Sequence, residues 1–502
     1  MSTLPRIAAR LTALIALLPA LAHAQQRSTT DAWSSVRDTI RAVMTRSSVP
    51  SVSVAVAHRG KIVWEEAFGW ADREKMSPAT PNTAYSLASI SKPMTATALM
   101  ILVERGAIDL EHPANDYLGS GKLSGLAGDA SGATVRRVMS HTAGLPLHYQ
   151  FYYANQPYAV LSNDETIARY GILVYPPGTV YQYSNLGYGI IDHIIARTSR
   201  TDYPDFMRAN VFVPLGLTHT SVGIAPGLEP YVAQRYDQKQ RPIPFYDFDH
   251  RGGSAIYASA HDLVRFGMFH LKDHLADQRP VIKDASIDAM QRAVSPATYG
   301  LGWIVLERDG LRVVSHTGGM PGVQTALVLY PMEDVAIVVL MNAVADVPRI
   351  SREIERVILP RYADARRRWA GDARAQQSSA DSSTRFAPPK ELVGEWTGTL
   401  RTWERVIPMT LVMKADGDMH VRLEGQREAL LTDVRWADST LEGRHAGTIP
   451  TSDAMRWPHD IALSLRLRGG TLSGSASALT TTDPVYFALS SYVTLTKKVV
   501  VK

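Results

Sequence analysis

A chain of 502 residues with 45% hydrophobic and 20% charged side chains is globular material, long enough for two or three domains. Its formal charge of +5 comes without a basic run or basic-aromatic interleaving, which argues for solubility and against nucleic acid as a partner. The absence of cysteine excludes disulfides and a cysteine-borne lipid.

Residues 1–24 read as a secretory signal peptide. Arg6 and Arg10 precede the apolar stretch Leu11 to Leu21, and Ala22-His23-Ala24 is a small-x-small cleavage site. The apolar stretch is too short for a membrane span, so the expectation is a periplasmic or secreted protein, with an uncleaved N-terminal anchor as the alternative. A helix is predicted over Asp31 to Arg46 from the spacing of Trp33, Val36, Ile40 and Val43. Ser51 to Ala57 and Ile62 to Trp70 form a predicted hairpin about Arg59-Gly60.

The next stretch, Ala84 to Leu102, carries the chemistry. It contains the single S-x-x-K of the chain, Ser89-Ile90-Ser91-Lys92, at the mouth of an apolar run that reads as a buried helix. Positions i and i+3 of a helix share a face, which sets a hydroxyl beside an amine. A serine hydroxyl attacks a carbonyl only when a neighbour removes its proton. Lysine serves if it is neutral, and lowering its pKa of about 10.4 by roughly three pH units asks about 4 kcal/mol of the site. Burial supplies such a term. The same tetrapeptide also fits an N-cap serine and a solvated lysine, so it needs partners elsewhere in the chain.

Thr134 to Met139 is a predicted short helix ending at His141-Thr142-Ala143-Gly144-Leu145-Pro146. From Phe151 to Tyr175 the chain reads as aromatic and irregular, fitting either a substrate groove or packing against helices. Pro177-Gly178 leads to Tyr183-Ser184-Asn185. Tyr183 is a candidate proton carrier, its pKa of about 10 expected to be lowered by a neighbouring lysine, and Asn185 a candidate to hold Lys92 and a substrate amide. Tyr153-Ala154-Asn155 has the same form without the Pro-Gly lead or a following helix, so Tyr183 is preferred.

Helices are predicted over Tyr188 to Thr198, Tyr203 to Val213 and Ala260 to Leu271, then β-type runs at Gly302 to Glu307, Leu311 to Ser315, Val323 to Tyr330 and Val335 to Met341, and a closing helix at Val347 to Leu359. This order predicts one antiparallel sheet completed by both ends of the domain, with a mostly helical insert between. Ser315-His316-Thr317-Gly318-Gly319 ends one of the runs; its glycines admit a substrate backbone, and the Gly319 N–H could join that of Ser89 as an oxyanion hole. His270 and His274, at i and i+4, read as a solvated helix end and not as a metal site, because no H-E-x-x-H accompanies them. Arg367 to Lys390 reads as a linker. Beyond it, runs at Trp396 to Thr402, Ile407 to Lys414, Met419 to Leu423, Ile461 to Leu467, Thr471 to Ala478 and Tyr486 to Leu495 predict an all-β barrel.

Taken together, Ser89-x-x-Lys92, Tyr183-Ser184-Asn185 and His316-Thr317-Gly318, with the strings at 134–137, 141–146 and 299–303, resemble the serine β-lactamase and penicillin-binding-protein-like hydrolases. The likeness is to the branch holding class C β-lactamases, D-alanyl-D-alanine carboxypeptidases, D-amino-acid-specific peptidases and esterases, and it covers about residues 31 to 360. It implies an α/β fold and an acyl-enzyme mechanism with neither metal nor organic cofactor. In it Ser89, Lys92 and Tyr183 are catalytic, while Asn185, His316, Thr317, Gly318 and Gly319 bind substrate or oxyanion. His316 stands where class C β-lactamases usually carry lysine; a neutral imidazole there favours peptidase or esterase action over efficient β-lactamase action. A penicillin-recognising sensor with little turnover is the reading from another class. The implied organisation is a signal peptide at 1–24, a hydrolase domain at 25–366, a linker at 367–390 and a lipocalin-like barrel at 391–502. The barrel is compatible with shielding the site, mediating oligomerisation, binding an apolar ligand, or none of these.

Overall fold

Val335–Met341 is apolar at every position, a pattern that fits a strand covered on both faces, and it sits at the centre of a seven-stranded antiparallel sheet. The structure is a computed structural model that describes residues 31–294, 298–369, 386–483 and 485–498, so the expected signal peptide and most of the expected linker lie outside the described residues. Across the sheet the strands run Ser77–Pro78, Lys61–Asp72, Ser51–His58, Val335–Met341, Val323–Tyr330, Leu311–Met320 and Ile304–Arg308. The N-terminal hairpin therefore joins the C-terminal strands through Ser51–His58 against Val335–Met341, from Val52 opposite Met341 to His58 opposite Val335.

Side chains alternate between two cores. Ile337, Val339 and Met341 face Val36, Ile40, Ile350 and Ile354 of the helices Ser34–Ser47 and Val347–Ile358. Ala336, Val338 and Leu340 face the helix Ala260–Leu271 and, beyond it, the helix Ser91–Glu104. From Ser91 to Leu102 every residue of that helix is buried, so it is the hub of the helical layer, with its few polar side chains, among them Lys92 and Thr95, hydrogen-bonded inside.

The segment expected to be irregular, 151–175, is so only in part. It contains the end of the strand Tyr149–Tyr153 and the helix Asn163–Tyr170, whose Ser162 and Glu165 form a capping box, with turns and coil between and after them. The aromatic residues there pack into the protein: Tyr152 and Tyr153 are buried, and Tyr149 stacks with Tyr486 of the C-terminal region at 6.0 Å.

Residues 360–369 continue as helix, with Trp369 buried and its Nε1–H donating to Asp309 Oδ2 at 2.6 Å. Arg367 to Trp369 therefore belong to packed structure and not to a linker.

The C-terminal region is a β-barrel. Its sheet runs Ala429–Leu430, Met419–Leu423, Val406–Met413, Gly394–Arg401, Phe487–Lys497, Thr471–Thr480, His459–Arg468, Thr440–Ala446 and Thr432–Ala437. The two outermost strands are separated only by Leu431, which nearly closes the barrel. Three of these strands escape the sequence pattern, because Thr432–Ala437 and Thr440–Ala446 put Asp433, Arg435, Glu442 and Arg444 on the wet side and Ala429–Leu430 is two residues long. The barrel is stitched to the hydrolase layers by backbone pairing of Phe487 and Ala488 with Gln150 and Tyr149. Its buried Asp453 also takes Arg169 Nη1 at 2.9 Å and the Tyr170 hydroxyl at 2.8 Å. Among the described residues no helix is long and apolar enough to cross a membrane.

Candidate active site

Ser89 lies on a single 3₁₀ turn, Ala88–Ile90, that runs directly into the helix Ser91–Glu104. It is half-buried, while Ala88 and Ile90 are fully buried. Ala88 adopts φ 50°, a left-handed conformation that costs a non-glycine residue about 1–3 kcal/mol. The turn that lifts Ser89 into the cleft is thus held by its surroundings. The Thr325 hydroxyl donates to the Leu87 carbonyl at 2.9 Å, the Leu87 N–H donates to the Ile256 carbonyl at 2.8 Å, and Ile256 N–H donates to Ser91 Oγ at 3.0 Å.

Lys92, one turn on, is wholly buried. Its Nζ stands 3.1 Å from Ser89 Oγ, 2.8 Å from Asn185 Oδ1 and 3.0 Å from the Gly253 carbonyl oxygen. Burial pushes its pKa well below the ordinary lysine range. A neutral amine has two N–H bonds and one lone pair. Two of its three neighbours are acceptors, so the N–H bonds go to Asn185 and Gly253 and the lone pair is left for the Ser89 O–H. Once neutral, the amine is already oriented towards Ser89.

Tyr183 and Asn185 come from the loop that opens the helix Asn185–Ser199, capped by Ser184, whose side chain accepts from Gly187 N–H at 3.3 Å. The Tyr183 ring centroid lies 4.9 Å from Lys92 Nζ, and its hydroxyl pairs with that of Ser89. Burial raises the Tyr183 pKa, against a smaller lowering by Ser89. The expected lowering by Lys92 is not seen; burial dominates, and Tyr183 stays a phenol.

The loop is held by His141, also at positive φ (60°). Its Nδ1 accepts the Ser184 N–H at 3.2 Å, and its ring packs 4.3 Å from Tyr183 and 4.7 Å from Tyr299.

Opposite them runs Leu311–Met320. Its neighbour Ile304–Arg308 pairs only as far as Ser315, so His316 to Met320 present one edge free of that strand. Thr317 and Gly319 face solvent while His316 and Gly318 face inward. A β-carbon on Gly318 would meet the Leu87 carbonyl oxygen at 2.1 Å, whereas one on Gly319 would find only the Gln324 amide at 3.6 Å. Gly318 is therefore small to let the strand lie against the turn Ala88–Ile90.

His316 is buried, accepts from the Tyr299 hydroxyl through Nε2 at 3.0 Å and donates from Nδ1 to the Thr317 carbonyl at 2.7 Å. Burial, with Lys92 nearby, lowers its pKa to about 3. It is a neutral imidazole at any physiological pH.

Of the residues singled out from sequence, Ser89, Lys92, Tyr183 and Asn185 meet in one cluster, with the strand of His316, Thr317, Gly318 and Gly319 alongside. Tyr153 does not join them; it is buried 5.1 Å from Tyr246 in a separate aromatic cluster. His270 is not at a solvated helix end. It is buried, with Nε2 2.9 Å from Thr97 Oγ1, whereas exposed His274 lies beyond the helix near Asp284. Among the described residues no group of three or more His, Cys, Asp or Glu could hold a metal ion.

Sequence reasoning did not assign the part taken by Gly253, Tyr299 and His141. Gly253 acts through a backbone carbonyl that leaves no signature of its own, while the strings at 141–146 and 299–303 marked His141 and Tyr299 as landmarks only. Beside Gly319 a cavity of about 280 Å³ opens, bordered by Tyr236, Ile243 and Gln324 and by Tyr486 of the barrel.

The family model described as beta-lactamase matches residues 36–359. Penicillin-binding protein 4* of Bacillus subtilis (strain 168) is 27% identical over 308 residues, which is 55% of this chain and 65% of that protein. The chain thus spans just under two thirds of that relative's length. Among solved structures, the octameric penicillin-binding protein homologue from Pyrococcus abyssi aligns with a TM-score of 0.56 at 18% identity, covering 90% of this chain and 99% of the other. The beta-lactamase/D-alanine carboxypeptidase from Pseudomonas syringae aligns with a TM-score of 0.55 at 20% identity, covering 64% and 97%.

Proposed function

The chain belongs to the beta-lactamase family, and from that premise we propose that it is an exported serine hydrolase that cleaves a D-amino-acid peptide, amide or ester through an acyl-enzyme on Ser89. The observation that carries this reading is the buried Lys92 amine, 3.1 Å from Ser89 Oγ with both N–H bonds occupied elsewhere. Ser89 Oγ bonds to the substrate carbonyl carbon as its proton passes to Lys92. The N–H groups of Ser89 and Gly319 take the oxyanion. Tyr183, a phenol beside both groups, relays the proton to the leaving amine or alcohol as the carbonyl's bond to it breaks. Water then adds to the acyl carbon, the ester to Ser89 breaks, and the serine recovers its proton. Asn185 and Thr317 orient the substrate amide along the free edge of Leu311–Met320.

A class C type β-lactamase activity is less well supported, because the buried, neutral His316 offers no cation to a β-lactam carboxylate. Oligomerisation through the barrel is part of the proposal in view of the octameric Pyrococcus abyssi neighbour, and sedimentation velocity tests it. The activity is tested with the mature chain and its Ser89→Ala variant against p-nitrophenyl esters, D-Ala-D-Ala peptides, a fluorescent penicillin and a fluorophosphonate. Turnover that vanishes in the variant supports the hydrolase reading. Stoichiometric labelling without turnover favours a sensor, and turnover that survives Ser89→Ala overturns the assignment of the nucleophile.

A further inference from the structure

Behind the short helix Arg251–Ser254, which presents the Gly253 carbonyl to Lys92, lies a group of side chains that the reaction above does not touch. Asp249 is held between two imidazoles, with His148 Nε2 2.7 Å from Oδ2 and His250 Nδ1 2.6 Å from Oδ1; all three side chains are essentially inaccessible. The Gln150 N–H adds a donor to Oδ1 at 3.3 Å. Burial pushes the Asp249 carboxyl up, but the two imidazoles more than offset it and hold it below the usual carboxylate range. An anionic Asp249 accepts one N–H from each ring. The outer nitrogens, His148 Nδ1 and His250 Nε2, are left buried without a hydrogen-bond partner, at a cost of about 1–3 kcal/mol each. A well-packed apolar trio would fill the same space without that cost, so stability alone does not account for the group.

Its place in the fold does. The helix Arg251–Ser254 starts at His250, whose carbonyl accepts the Gly253 N–H at 2.9 Å. The His250 ring lies so close to Gly253 that a β-carbon there would meet it at 3.2 Å. Two further contacts pin the same turn: Asp192 Oδ2 accepts the Gly252 N–H at 2.6 Å, and the Thr95 hydroxyl donates to the Gly252 carbonyl at 2.7 Å. On the far side the His148 ring packs 4.4 Å from Tyr170, whose hydroxyl is held by Asp453 of the barrel.

We propose that Asp249 is a positioning residue for the lysine base: by clamping His148 and His250 it fixes the turn whose Gly253 carbonyl takes one N–H of Lys92 and so keeps the amine's lone pair on Ser89 Oγ. This rests on the reading of Ser89 as the nucleophile. Without the clamp the carbonyl drifts, the amine turns with it, and the proton acceptor leaves the line of attack. Misplacement on the order of 1 Å costs on the order of a hundredfold in rate.

The test uses full-length Asp249→Asn, His250→Asn and His250→Ala, with Ser89→Ala as control. Ester kcat and KM, the rate of fluorophosphonate labelling and the melting temperature are measured for each. Asp249→Asn should lower kcat and the labelling rate by roughly tens- to a hundredfold, with KM changed by less than about threefold in a folded protein. His250→Asn, whose amide keeps an N–H for Asp249, should retain more activity than His250→Ala. A folded Asp249→Asn with kcat within about twofold of wild type, or a loss confined to KM, overturns the proposal. Should Asp249→Asn fail to fold, the two His250 variants decide: equal activities overturn it, and a better Asn variant supports it. Labelling and turnover that persist in Ser89→Ala would instead sink the nucleophile reading, and this proposal with it.

Discussion

Gly318 lies so close beneath the nucleophile turn that a β-carbon on it would stand 2.1 Å from the carbonyl oxygen of Leu87. That approach is how a strand from the C-terminal half of the hydrolase layers and a turn from its N-terminal half come to share one cleft.

Gly318→Ala should therefore force the strand and the turn apart. Overpacking of this kind costs about 1–3 kcal/mol, and the displaced strand should also reduce kcat. Gly319→Ala, with nothing nearer than the Gln324 amide at 3.6 Å, should leave the melting temperature almost unchanged. Thermal melts of the two variants side by side check the contrast.

Lys92→Arg places a permanent cation at the position and removes the base, because a guanidinium does not lose its proton in proteins. The expected loss in ester kcat/KM is roughly two to four orders of magnitude, the range of general base catalysis. Steady-state kinetics on a p-nitrophenyl ester measure it, and activity within about tenfold of wild type would remove Lys92 from the mechanism.

Tyr183→Phe removes one hydroxyl from the cleft and should lower kcat by on the order of a hundredfold. Tyr153→Phe, whose ring packs 5.1 Å from Tyr246 and not against Lys92, should change kcat by less than about twofold. A reversal of that order would mean that the wrong tyrosine had been chosen.

A pH effect on stability is expected far from the cleft. Asp273, partly buried and hydrogen-bonded to Asp334, has its pKa raised to about 7, by burial first and then by its neighbour. A carboxyl whose folded pKa exceeds its unfolded value binds more protons in the folded state. Its stabilising contribution is full below about pH 4 and is lost as pH rises towards 7. The melting temperature should fall across that window, and Asp273→Asn, which cannot ionise, should flatten the fall. Melts of wild type and variant from pH 4 to 8 test this.

Much of the hydrolase layout is legible from the chain because apolar runs and turn residues carry it. Val335–Met341 is apolar over its whole length, Ala98 to Leu102 is an apolar run, and the loop before Asn185 is marked by Pro177 and Gly178. The central contacts are legible for a different reason: Ser89 and Lys92 share a helical face. What the sequence hides is of two kinds. Strands such as Thr440–Ala446 are half polar, so Glu442 and Arg444 mask the alternation of Leu441, Gly443 and His445. Support groups such as Gly253 and the Asp249 clamp act through a carbonyl or a buried carboxylate brought in from far along the chain, and spacing carries no trace of them. Tyr183 shows a further limit, since its sequence correctly suggests nearness to Lys92 but not that its own burial outweighs any acidifying neighbour.

The backbone pairing between Phe487 and Ala488 and the strand Tyr149–Tyr153 has a consequence for anyone who would shorten this chain. A hydrolase cut loose from its barrel would show a bare strand border lined with Tyr149 and Phe151, unsatisfied along its N–H and C=O groups. Such borders recruit strands from other molecules. The truncated protein would then be sticky before it was inactive, and precipitation of that fragment should not be mistaken for a role of the barrel in the chemistry.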